Sequence, residues 1–123
     1  MKYDITEFEK HPAARKMFET SSIVVYEDQH PVIQGHFQFL PKIDSLQAIN
    51  IAFSEALKYG EQERNAGTIQ GYHIGINMGT GTGQSVQYPH IHYIPVYKPE
   101  DEHLYAVGNR PKDPGFYGFL KNR

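Results

Sequence analysis

The chain has 123 residues, enough for one domain around one core and too few for an eight-fold β/α barrel. Its 12 basic and 14 acidic residues leave a formal charge of −2, and no basic run exceeds two residues, so a duplex nucleic-acid surface has no electrostatic support. With no cysteine, disulfides and thiolate metal sites are excluded, and nine tyrosines and seven phenylalanines point to a core built on aromatic rings.

The first residues lack the apolar stretch of a signal peptide, and no segment reaches the ~18 apolar residues of a membrane span. A soluble, cytoplasmic protein is expected, with neither nucleic acid nor membrane as partner. Residues 6–18 carry Phe8, Ala13, Met17 and Phe18 on a helical stripe, interrupted by Pro12. A helix over that span, or a shorter one beginning near His11, is predicted. Residues 22–27 are β-branched and aromatic and predict a strand; 28–34 predict a turn, and 36–40 a second strand ending at Pro41. Ser45 is placed to N-cap the longest helix, with Leu46, Ile49, Ala52, Phe53, Ala56 and Leu57 as its apolar stripe and an end between Gly60 and Gly67. Strands are predicted over 69–77 and 90–97, joined by a glycine-rich loop. The expectation is α+β: an antiparallel β-sheet with one long helix and a short N-terminal helix, in a single domain 1–123 whose residues 98–123 form a C-terminal extension of unassigned structure.

Three groups of residues carry chemistry. In a strand, residues two apart share a face about 7 Å apart, so His90 and His92 project together, with Tyr88 on the same face. Two such imidazoles suit a metal, or attack by one and donation by the other, or an incidental pair of histidines. Upstream lie Asn77, then Gly79, Gly81 and Gly83, then Gln84 and Ser85. Glycines permit the positive φ with which backbone amides converge on an anion, though a plain hairpin loop has the same composition. No Gly-Lys-Ser/Thr follows, so it is not a Walker loop. Asp28 and Gln29 precede Pro31, Gly35 and His36. Asp28 could accept from ribose hydroxyls, or be a solvated Asx-turn residue, and His36 could equally be a buried core histidine.

In order along the chain these pieces are Asp28, Pro31, Gly35-His36, Pro41-Lys42, Asn77, Gly83-Gln84-Ser85-Val86 and Tyr88-Pro89-His90-Ile91-His92-Tyr93-Ile94-Pro95. Together, over roughly residues 17 to 97, they resemble the histidine-triad (HIT) superfamily. The resemblance implies a HIT-like sheet and a nucleotide site. His90 would be the nucleophile, and His92 the contact to the α-phosphate or leaving-group oxygen. Asn77, Gly83, Gln84 and Ser85 would lie on the phosphate side, Asp28 and Gln29 on the ribose side, and His36 and Tyr88 behind the site. Tyr88 stands where the family has its first triad histidine. There the family uses the backbone carbonyl to orient the nucleophile, an interaction indifferent to the side chain.

The implied activity is that of a nucleotidyl hydrolase or transferase cleaving a nucleoside 5′-phosphoramidate or dinucleoside polyphosphate at the α-phosphorus, through a nucleotidyl-histidine on His90. The implied partners are a purine nucleotide or nucleotidyl conjugate and a second copy of the chain in a homodimer. No metal or other cofactor is required, although a divalent cation can accompany polyphosphate substrates. The alternatives are a nucleotide-binding HIT-like protein with weak or lost catalysis, motivated by Tyr88, and a cupin-like metal barrel using His90, His92 and Glu100. A 20-residue helical stripe has no place in such a barrel.

Overall fold

The β-branched and aromatic segments pair into one five-stranded sheet of order β1-β2-β3-β5-β4, each neighbouring pair antiparallel. Its strands are β1 (Arg15–Glu19), β2 (Ile23–Glu27), β3 (Phe37–Pro41), β4 (Gly71–Ile76) and β5 (Ile91–Val96); the helices are α1 (Thr6–Glu9) and α2 (Leu46–Asn65). The structure is a computed structural model and describes residues 3–10, 15–79 and 88–98. This is the α+β arrangement expected, with one long helix and one short N-terminal helix. No helix among the described residues is long and apolar enough to cross a membrane.

Two readings of the elements are corrected. The stripe over 6–18 divides between a single helical turn, α1, and the edge strand β1; His11, where a shorter helix was expected to begin, lies outside the described residues. Phe8 of α1 is buried, whereas the whole of β1 is exposed. β1 is held by its backbone pairing with β2, and a register shift between Lys16 and Phe18 breaks the alternation that would have marked a strand. Tertiary pairing here overrides local pattern. The second correction concerns the stripe of α2. Its N-cap is as expected, Ser45 Oγ accepting from the Ala48 amide at 3.1 Å. Its buried residues, however, are Ala52, Ala56 and Gly60, while Leu46 and Leu57 are exposed. Small residues every fourth position let the helix lie close to the sheet, which turns the two leucines outward. Gly60 marks the closest approach: a Cβ there would meet three atoms of the Tyr72 ring at 2.5–2.6 Å.

The sheet has two unlike faces. One packs against α2 through Ile23, Val25, Phe39, Ile91 and Tyr93. The other buries Val24, Tyr26, Leu40 and Tyr88 beneath Phe8. Pairing sets which polar side chains join that second face. Gln38 stands opposite Tyr26 on one side and His92 on the other.

Candidate active site

His90 lies just before β5 and His92 within it, both about 1% exposed. Their ring centroids are 5.2 Å apart, nearly perpendicular, and Phe8 closes on His90 at 5.9 Å. His90 Nδ1 lies 2.8 Å from the carbonyl oxygen of Tyr88. A carbonyl only accepts, so Nδ1 carries a proton in this contact.

The Tyr88 side chain is fully buried and points elsewhere. Its hydroxyl donates to the Pro41 carbonyl oxygen at 2.6 Å, tying the segment before β5 to the end of β3. Burial, then the carboxylates of Asp44, Asp4 and Glu9, push the phenol well above its ordinary value. The side chain at this position therefore fills the core, and the backbone carbonyl faces His90.

Asp28 is 2% exposed, so the solvated Asx-turn reading is corrected in part: the turn exists, with Oδ1 accepting from the His30 amide at 2.8 Å, but the carboxylate is buried. Oδ2 accepts from Gln38 Nε2 at 2.8 Å and lies 3.3 Å from His36 Nε2 and 3.6 Å from His92 Nδ1. His36, fully buried, lies 3.2 Å through Nε2 from His92 Nδ1. Both Asp28 oxygens are thus engaged inside the protein. Gln29 is half-buried in the turn beside it. Asn77 directly follows β4, and the β4–β5 register continued by one residue sets it across from His90. Gly83, Gln84 and Ser85 lie outside the described residues.

Gln38 was missed by sequence reasoning, as were the Val32 amide and the Pro41 carbonyl. Gln38 had a signal: it alternates with His36 and Leu40 along one strand face, and a polar residue between buried ones needs a partner. The two backbone groups had none.

Asp28, His36 and His92 offer three ligand atoms close together. Their separations of 3.2, 3.3 and 3.6 Å are near the ~3.3 Å edge of tetrahedral sites with ~2.0–2.1 Å ligand bonds. The protons do not fit. His36 could bind a cation through Nε2 only with its proton on Nδ1, yet Nδ1 accepts from the Val32 amide at 3.3 Å. As folded, the trio is a hydrogen-bond network. A separate cavity of about 360 Å³ on the α2 side of the sheet, bordered by Phe37, Tyr59, Tyr93 and Tyr97, does not reach these histidines.

Fold and site together describe a small α+β protein with adjacent buried histidines at one strand of its sheet. No protein-family model matches the chain. It is 35% identical over 86 residues to an uncharacterised HIT-like protein of Chlamydia trachomatis, spanning 64% of this chain and 78% of that one. Among solved structures it resembles a zinc-bound histidine-triad family protein from Mycobacterium smegmatis, with TM-score 0.66, 20% identity, and 94% of this chain and 86% of that one covered. It also resembles a HIT family protein from Bacillus anthracis, with TM-score 0.64, 20% identity, and 91% and 82% covered. The chain belongs to the HIT family.

Proposed function

We propose that the protein is a nucleotidyl hydrolase or transferase that cleaves a nucleoside 5′-phosphoramidate or dinucleoside polyphosphate at the α-phosphorus, by way of a nucleotidyl-histidine on His90. The observation that carries this reading is the 2.8 Å contact of His90 Nδ1 with the Tyr88 carbonyl in a buried site, which assigns Nε2 of the neutral ring as the attacking nitrogen. The Nε2 lone pair attacks phosphorus as the bond to the leaving group breaks. A phosphate leaves as its anion, and an amine leaves with a proton taken from solvent. Water, or another acceptor, then attacks the same phosphorus, loses its proton, and displaces His90, restoring the free imidazole. Fixing His90 in one tautomer supplies orientation, and donors around the phosphoryl oxygens supply charge stabilisation. Asn77, Gly83, Gln84, Ser85 and His92 are our assignments for those donors. No resident metal enters this step, although a divalent cation can accompany a polyphosphate. Leu46 and Leu57, three turns apart on one side of α2 and both exposed, support a homodimer packed through that helix.

The test is a panel of nucleotidyl phosphoramidates and dinucleoside polyphosphates assayed for release of a nucleoside monophosphate, with mass spectrometry of the quenched protein. A nucleotidyl adduct on His90, and loss of turnover in His90→Ala, are expected. An adduct on His92 or His36, or full activity in His90→Ala, would overturn the mechanism.

A further inference from the structure

On the face of the sheet turned away from His90 and His92, a cavity of about 360 Å³ opens where α2 and β5 end. That volume is at the small end of ligand pockets, ~300–1,000 Å³. Its walls are aromatic: Phe37 of β3, Tyr59 of α2, Tyr93 of β5 and Tyr97 just beyond it. The rings hold one another in place, with Tyr59 edge-on to Tyr93 at 5.0 Å and tilted against Phe37 at 6.1 Å. Tyr97 is tied down by its hydroxyl, which donates to the Gln34 carbonyl at 2.7 Å. Walls fixed in this way spare a ligand the cost of ordering them.

Tyr93 is 2% exposed, and its hydroxyl has no hydrogen-bond partner among the described residues. A buried hydroxyl left alone costs stability, and the cavity that its ring lines is where a partner would stand. Burial, followed by Tyr59, Glu63, Tyr97 and Tyr72, pushes the phenol well above its ordinary value, so it stays neutral and its oxygen can accept. The charges on the wall select the kind of partner. Arg15 is held by Glu27 at 3.3 Å, which leaves no free guanidinium for an anion. Glu63, half-buried, makes no ion pair among the described residues, its neighbour Arg64 being held by Glu61 at 2.9 Å. The wall thus has one carboxylate in excess, beside ring faces that attract cations.

We propose that this cavity binds a small organic cation, a protonated amine on an apolar stem, whose N–H groups donate to the Tyr93 hydroxyl and the Glu63 carboxylate while the stem lies among Phe37, Tyr59 and Tyr97. The site is separate from the histidines and stands whether or not the protein transfers phosphoryl groups.

The test is NMR of the aromatic side chains of the full chain, titrated with phenethylammonium, with 2-phenylethanol as its neutral analogue and phenylacetate as its anionic one. Phenethylammonium should shift the rings of Tyr59, Tyr93 and Tyr97 saturably, 2-phenylethanol should bind about ten-fold more weakly or worse, and phenylacetate should leave the rings unshifted. Glu63→Gln and Tyr93→Phe should each weaken phenethylammonium about ten-fold. Tyr93→Phe should also raise the melting temperature of the free protein, because it removes a buried hydroxyl that has no partner; that rise separates loss of a ligand contact from damage to the fold. The absence of a saturable shift at millimolar phenethylammonium, equal binding of 2-phenylethanol, or undiminished binding in either variant would overturn the proposal. Shifts confined to His90 and His92 would overturn it as well.

Discussion

Tyr88→Phe tests the tyrosine whose backbone carbonyl meets His90. The change keeps ring volume and removes one hydroxyl, which donates to the Pro41 carbonyl at 2.6 Å with the whole side chain buried. Loss of a buried hydrogen bond costs about 1–2 kcal/mol, because the carbonyl left behind is not rehydrated. For a domain of this size, that is a fall in melting temperature of about 3–8 °C. Turnover should stay within a few-fold of wild type, since the backbone carbonyl that holds His90 Nδ1 at 2.8 Å does not depend on the side chain. The phenol is also a poor acid here, with burial and the Asp44, Asp4 and Glu9 carboxylates all favouring its neutral form. The assay pairs thermal unfolding with turnover of two substrates, one with a good and one with a poor leaving group. If the phenol were a general acid, its removal would cost ~10²- to 10⁴-fold, concentrated on the poor leaving group. That outcome, with little change in stability, would refute the reasoning.

Gly60→Ala should destabilise even though alanine is favoured over glycine in a helix by about 0.8–1.0 kcal/mol. The new Cβ would lie 2.5–2.6 Å from a Tyr72 ring that is pinned by its 2.7 Å bond to Glu61, and overpacking of this kind costs about 1–3 kcal/mol. A rise in melting temperature would show that the ring moves aside freely. In alkali, Tyr26 and Tyr72 should ionise late. Burial and their bonds to Glu9 and Glu61 push each up to about 12, against about 10 in an unfolded chain. The stability that they contribute is intact below pH ~10 and is lost as pH rises toward 12. Ultraviolet titration should show phenolate lagging behind free tyrosine; complete ionisation near pH ~10 with the circular dichroism still native would contradict this.

What the sequence disclosed followed the range over which its signals act. Ser45 and the alanines of α2 speak within one or two helical turns, so the start of that helix was placed at its cap and its end within the span from Gly60 to Gly67. The apolar alternation of β2 and β3 acts within a hairpin, and both strands were found. β1 was lost because its stability resides in its partner: with all of Arg15–Glu19 exposed, no burial pattern was left to find. The histidines were legible by spacing alone, but their roles were not, because a tautomer is decided by what stands at the other nitrogen.

Asp28 shows how far local reading goes. Alternation places Val24, Tyr26 and Asp28 on one face of β2 and its continuation, and His36, Gln38 and Leu40 on the same face of β3. The observed pairing of Tyr26 with Gln38 then requires Asp28 to meet His36, and the Asp28 amide does bond the His36 carbonyl at 3.0 Å. Given the hairpin register, the carboxylate and its first histidine follow from parity. His92 does not, because it is 56 residues beyond His36 and reaches it only through the pairing of β3 with β5. A buried carboxylate beside imidazoles is tolerable only when it is held by hydrogen bonds. Substitution at any one of Asp28, His36, Gln38 or His92 should therefore disturb the other three, whatever the reaction that the network serves.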